Sequence, residues 1–304
     1  MAVGVLWAVY GAALPKAGAP TPQAEHLLAV QAFLDRSHFS PGEIDGRGGP
    51  NTAKAMAAFV SARHVTVETA MAKEGTPATA PYVIAAEDAA GPFARAIPDD
   101  MMAKAQLPTL SYTSTLELLG ERFHAAPSLL RRLNPGLRFV AGESLVVPNV
   151  AASPDPTAAK PAPAPSPVTV TVTVSRRASA LTVTDETGQV LYHAPATTGS
   201  AHDPLPLGDW AVTAVVRNPT FSYNPALFWD ADPAHARATV AAGPNGPVGT
   251  VWIDLTRPHY GIHGTAEPNT IGHTASHGCV RLTNWDAAAV AGLVGKGTKV
   301  VFTE

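Results

Sequence analysis

Ser276-His277-Gly278-Cys279-Val280-Arg281 sets the only cysteine of 304 residues directly behind a histidine and a glycine. A cysteine kept for packing sits more often in an apolar run. This one is flanked by groups able to activate a nucleophile and to bind an oxyanion. Upstream, Tyr260-Gly261-Ile262-His263-Gly264-Thr265 supplies a second histidine. His263 is the candidate base for the thiol proton, because an unassisted thiol is only about a few per cent thiolate at neutral pH. The turn Ser276-His277-Gly278-Cys279 can present successive backbone N–H groups to a developing oxyanion, and Gly278 would let a substrate approach the backbone closely.

Working outward from this stretch, the pattern from residue 168 onward is β-rich. Thr169 to Val174 alternates Thr and Val with period two, as a half-buried strand does. Ala180–Thr184, Gln189–His193, Trp210–Val216, Thr250–Leu255 and Lys299–Thr303 also read as strands. Asp286–Val294 reads as a helix with Asn284 as its cap. Between strands, Asn218 to Pro233 is long, aromatic and Pro-punctuated, the character of a lid or binding wall or of a surface loop packed on itself.

Ala151 to Pro167 (AASPDPTAAKPAPAPSP) has no periodic apolar face and reads as a linker, 151–167. Before it, Leu27, Leu28, Val30, Phe33 and Leu34 have helical spacing, and Thr52 to Phe59 forms a second helical run after the turn Asp45-Gly46-Arg47-Gly48-Gly49-Pro50. Thr52 or Asn51 is the expected cap of that helix. A further unit over 110–150 places Tyr112-Thr113-Ser114 before helical stretches at Leu116–Phe123 and Leu129–Leu133, then Gly142 to Asn149. The segment 76–109 reads as a connection. At the N-terminus, Ala2–Leu14 is apolar and Ala17-Gly18-Ala19 has the form of a signal-peptidase site, so 1–20 is a candidate signal, with a mis-set start or a buried first helix as the other readings. No other run reaches the ~18 apolar residues of a membrane span.

The residues of the 260–282 region match a known pattern. Gly261-Ile262-His263-Gly264-Thr265, Ile271-Gly272 and Ser276-His277-Gly278-Cys279-Val280-Arg281-Leu282 together resemble the signature of the L,D-transpeptidases (YkuD-type domain), which cross-link bacterial peptidoglycan. Gly243-Pro244-Asn245-Gly246-Pro247-Val248-Gly249 and Asn284-Trp285-Asp286-Ala287 extend the resemblance over about 168–304, with Gly246 standing where many relatives carry a second asparagine. The resemblance implies a β-sandwich with a helix beside the active-site strands. Residues 21–75 resemble a three-helix peptidoglycan-binding domain, with an unrelated helical hairpin as the alternative. Residues 110–150 resemble a degenerate LysM module of strand, two helices and strand, or else a generic docking subdomain. The expected fold is thus a multidomain α+β chain.

By the same resemblance, Cys279 is the nucleophile and His263 the general base and acid. Ser276, His277 and Gly278 form the catalytic turn, in which His277 either shapes the turn or supports the oxyanion, or is a structural histidine. Arg281, which could pair bidentately with a substrate carboxylate, and Tyr260, Gly264 and Thr265 are the expected substrate-binding residues, although Arg281 and Tyr260 could equally be structural. The implied substrates are peptidoglycan stem peptides and glycan strands in the bacterial cell envelope, with release of D-Ala and carbapenem-type β-lactams as inhibitors. An L,D-carboxypeptidase, a cross-link hydrolase and a noncatalytic wall-binding protein are the rival readings. Net charge of −3, with no basic stripe, disfavours nucleic-acid binding. No cofactor is expected. A metal site at His259, His263, His273, His277 and Cys279 is disfavoured because His259 and His263, i and i+4 on a strand, lie over about 12 Å apart, while His273 to His277 sits in a Gly/Thr/Ser-rich turn whose geometry is open.

Overall fold

The computed structural model describes residues 21–153 and 169–304. The apolar N-terminal segment and most of the Pro/Ala linker lie outside the described residues. Among the described residues, no helix is long and apolar enough to cross a membrane.

The upstream region begins with three helices, α1 (Pro22–Arg36), α2 (Pro50–Arg63) and α3 (Val67–Glu74). Thr21 and Thr66 cap α1 and α3 by accepting from the N–H of Ala24 and Thr69. The helices enclose Val30, Phe33, Leu34, Phe39, Ala55, Phe59 and Val67, with Phe33 and Phe39 edge-on to Phe59. The expected caps of α2 do other work, and its N-cap is Gly49. Thr52 Oγ1 accepts from Gln31 Nε2 at 3.1 Å. The same buried amide reaches Asp45 Oδ1 and the Arg47 carbonyl and accepts from Gly46 N–H, so Gln31 fixes the glycine-rich turn from inside.

The second unit begins earlier than expected. Its first strand is β1 (Thr79–Val83), drawn from the segment read as a connection, and Tyr112-Thr113-Ser114 forms no strand. Two short helices follow, α4 (Ala86–Ala90) and α5 (Met101–Lys104), then α6 (Thr115–Arg122), α7 (Pro127–Leu133) and β2 (Ser144–Pro148). β1 and β2 pair antiparallel, Thr79 opposite Pro148 and Val83 opposite Ser144. Asn134 ties α7 to β2, its side chain donating to the Val146 carbonyl and accepting from the Val146 N–H.

The C-terminal part is built on β3 (Val170–Ser175), β4 (Ala180–Asp185), β5 (Val190–Pro195), β6 (Gly208–Arg217), β7 (Phe221–Tyr223), β8 (Ala238–Val240), β9 (Val251–Leu255), β10 (Gly261–His263), β11 (Val280–Arg281), α8 (Asn284–Leu293) and β12 (Lys299–Thr303). Eight strands form one sheet in the order β11-β10-β9-β6-β12-β3-β4-β5. The expected sandwich is therefore one continuous sheet whose two halves share β6, which carries a register irregularity between Val212 and Ala214. Val170, Val172 and Val174 point into the same core as Ile253, Ile262, Val280 and Val290. Burying each such side chain stabilises by about 1.5–3 kcal/mol, and a one-residue slip would turn the whole set of β3 to solvent. The helix α8 is capped by Thr283, not Asn284.

The linker joins parts that pack closely. Ser40 N–H donates to the His193 carbonyl and His193 N–H to the His38 carbonyl, which lays the loop after α1 along β5. Asn51 Nδ2 donates to the Ile271 carbonyl at 2.8 Å. His124 stacks flat on Trp285, with 5.1 Å between centroids and 7° between planes. Its ring is held by Asp35 Oδ2 at 2.8 Å and Ser153 Oγ at 2.7 Å. That serine–histidine–aspartate array resembles a hydrolase triad in its distances, but the ring is buried in the junction, where it acts as a pin.

Candidate active site

β10 and β11 run parallel, with Ile262 beside Val280 and His263 beside Arg281. Ile262 and Val280 face the core and are fully buried. The two-residue period sends His263, Arg281 and the half-buried Cys279 to the opposite side, where all three line one cleft of about 1020 Å³. The thiol and the imidazole that the sequence suggested as partners thus face the same cleft.

His263 is buried, and its Nδ1 lies 2.7 Å from the Gly264 carbonyl. A carbonyl only accepts, so Nδ1 carries the hydrogen and Nε2 is left with a free lone pair. The Trp252 ring stacks on the imidazole at 5.5 Å. Burial, with a smaller contribution from the Arg281 charge, lowers the His263 pKa to about 4 against the raising effect of the Gly264 carbonyl. Burial also pushes the Cys279 thiol up, against hydrogen bonding from the Gly261 backbone and the Arg281 charge. Both shifts favour an uncharged resting pair. In that state the thiol donates to the His259 carbonyl at 3.6 Å, a contact set by the left-handed backbone of His259 (φ 68°).

The turn before the nucleophile is held by Ser276, whose Oγ donates to the Cys279 carbonyl at 2.5 Å and accepts from the Gly278 N–H at 3.2 Å. The Gly278 N–H is therefore engaged within the turn and is not a free oxyanion donor. Nor is the space beside Gly278 open to substrate, because a Cβ there would lie 2.6 Å from the Tyr260 ring. At φ 102° Gly278 also holds a conformation that L side chains rarely adopt. Tyr260 packs on this glycine and under the Arg257 guanidinium, 5.4 Å from its ring centroid.

The other expected site residues divide. The His277 side chain is taken up by the loop after β7, its Nε2 2.8 Å from Asp230 Oδ1 and its ring edge-on to Phe228. Arg281 lines the cleft, and no carboxylate of the described residues lies within ion-pair distance of it. Gly264 and Thr265 do not line the cleft. Gly264 lies against Asn284 with no room for a side chain, and Thr265 Oγ1 accepts from the Glu267 N–H. Their motif spacing reflects packing behind the site. Among the described residues, no group of three His, Cys, Asp or Glu side chains is placed to hold a metal ion.

Comparison with known families agrees with this arrangement, residues 169–302 matching the L,D-transpeptidase catalytic domain family, YkuD. The C-terminal part of the chain is a YkuD-type L,D-transpeptidase catalytic domain. The YkuD protein of Bacillus subtilis is 28% identical over 188 residues, 61% of this chain and 92% of that protein. The YkuD protein of Bacillus licheniformis is 29% identical over 192 residues, 62% of this chain and 93% of that protein. Both similarities run longer than the transpeptidase domain and so include chain upstream of the linker. Among solved structures, an L,D-transpeptidase from Mycobacterium smegmatis is 21% identical with a TM-score of 0.37, covering 45% of this chain and 59% of that one.

Sequence reasoning missed several residues of the cleft that holds the Cys279 thiol. Trp252 and the His259 carbonyl lie on the near side of the cleft, and Asp99, Asp100 and Met101 enter from the upstream region. None stands in a motif, so only the folded chain brings them to the site.

Proposed function

We propose that the chain is a cysteine-dependent L,D-transpeptidase acting on peptidoglycan tetrapeptide stems. The observation that carries the reading is the shared cleft of Cys279 and a neutral His263 with a free Nε2. Because the pair rests uncharged, the thiol proton passes to Nε2 as Sγ attacks the acyl carbon of the third stem residue. The oxyanion is met by the His277 and Cys279 N–H groups, since that of Gly278 is engaged by Ser276. Collapse of the intermediate breaks the amide bond, and His263 returns the proton to the departing D-Ala amine. A thioester remains on Cys279. An acceptor amine then attacks it, gives its proton to His263 and regenerates the thiol with a new amide bond.

The Arg281 guanidinium, without a carboxylate partner among the described residues, is suited to the stem carboxylate. In this reading the upstream units hold glycan, the 79–150 unit resembling a LysM module in the antiparallel pairing of its first and last strands, with α6 and α7 among the four helices between them, and 21–75 a peptidoglycan-binding domain. Glycan binding by either unit would suit a protein of the bacterial cell envelope. Carbapenem-type β-lactams acylate the same sulfur.

The test is incubation of wild type and Cys279→Ala with disaccharide tetrapeptides, with products read by mass spectrometry. Cross-linked dimers from wild type alone support the reading. Tripeptides without dimers turn it into an L,D-carboxypeptidase, and equal product from Cys279→Ala overturns the cysteine mechanism.

A further inference from the structure

The segment 97–110 lies between α4 and α6 of the upstream region, yet it packs on the transpeptidase domain. Met101, Leu107 and Leu110 share one apolar cluster with Tyr223, Phe228 and Val240, residues of the flap formed by β7, the intervening loop and β8. The backbone closes the contact, Leu110 N–H donating to the Ala242 carbonyl and Asn245 N–H to the Leu110 carbonyl. At Gly243 a Cβ would lie 2.2 Å from the Leu110 oxygen, so this strap could not run where it does past any other residue.

A polar chain crosses the same junction. Asp100 Oδ2 lies 2.8 Å from His235 Nε2, and the Tyr223 hydroxyl lies 2.9 Å from His235 Nδ1. A single neutral tautomer satisfies both contacts, with Nε2–H donating to Asp100 and Nδ1 accepting from Tyr223. The flap is thus pinned at its outer end to the strap. At its inner end Asp230 and Phe228 hold the ring of His277, two residues before the nucleophile.

We propose that Asp100 and His235 are positioning residues for the reaction at Cys279, fixing the flap as the outer wall of the cleft. The upstream region is then a working part of the transpeptidase site as well as an attachment to it. This rests on the reading under Proposed function for its substrate, but the pinning of the flap can be measured without turnover. The mechanism is steric: a flap freed at its outer end widens the cleft and weakens stem binding, while the thiol, held by its own turn and by His263, keeps its reactivity.

The informative variant is Asp100→Ser. Asp100 also caps α5, with Oδ1 accepting from Ala103 N–H; serine keeps a capping oxygen but is one atom too short to reach His235 as well. His235→Ala in the full-length chain is the second variant. Three quantities are read: hydrogen exchange of residues 224–237, KM and kcat on a disaccharide tetrapeptide, and the rate of Cys279 alkylation by iodoacetamide. Both variants are expected to speed flap exchange and raise KM roughly tenfold with kcat changed less, while alkylation stays within about twofold of wild type. Unchanged flap exchange overturns the proposal, as does a loss of alkylation in step with turnover. If wild type turns over no muropeptide, the substrate reading fails, and exchange together with alkylation still decides whether the strap pins the flap.

Discussion

Asn284 Nδ2 donates to Glu121 Oε1 at 3.2 Å, joining the first residue of α8 to α6 of the upstream region. The same amide donates to the Pro244 carbonyl and accepts from the Thr250 N–H. One side chain therefore holds the loop before β9, the start of α8 and the upstream module together.

Glu121 makes this junction sensitive to pH. Burial is the main cause of its raised pKa, about 8, opposed by the Asn284 bond and reinforced by Glu117; burial and Asp45 raise Glu43 to about 7. Both carboxyls stay protonated in the fold above their ordinary 4.5. The stability they lend is complete below that value and is lost as pH rises through about 7 and then about 8. Tm is expected to fall between pH 5 and 8.5, and Glu121→Gln to flatten the fall. Because Glu121 is partly exposed, the gain at pH 8.5 is about 1 kcal/mol, or roughly 2–4 °C. A Glu121→Gln curve parallel to wild type in calorimetry would remove this account.

An uncharged Cys279–His263 pair sets the shape of the pH–rate profile. The base works only when neutral, so acylation is expected to lose its acid limb near pH 4, where His263 takes up a proton. The rate stays level through neutrality, because burial holds the thiol protonated. Carbapenem acylation followed by stopped-flow absorbance checks this. A limb centred near the ordinary histidine value of about 6.5 contradicts the buried, neutral imidazole.

Gly278→Ala should cost activity through the turn. The left-handed φ and the Tyr260 ring at 2.6 Å both oppose a side chain, and the backbone strain alone is about 1–2 kcal/mol. A fall in kcat/KM of about 10²-fold or more is expected. Adding Tyr260→Ala relieves the clash but not φ, so the double variant should recover only part of the loss. Full recovery would mean that the ring contact alone requires glycine.

Arg281→Lys keeps the charge but loses the fork. If the guanidinium binds a stem carboxylate in bidentate fashion, KM should rise about tenfold or more with kcat less affected, since a charged hydrogen bond contributes about 1.5–3 kcal/mol. Amidating that carboxylate should weaken the wild type and leave the variant little changed. Equal losses for both enzymes would assign Arg281 a structural role.

The sequence by itself determined what local chemistry encodes. The period-two valines of 170–174 mark β3 because alternate burial needs nothing beyond the strand itself. The glycine, histidine and cysteine of 276–281 mark the nucleophile turn because its backbone and hydroxyl contacts close within four residues. Tertiary structure decided which distant groups meet: β1 with β2 across some sixty residues, Gln31 with the 45–47 turn and Thr52, Asn284 with Glu121, and Asp100 with His235. An amide or carboxylate read alone carries several possible partners, and a cap and an interface contact use the same residue types. Only packing, which buries one partner within reach and removes the rest, selects among them.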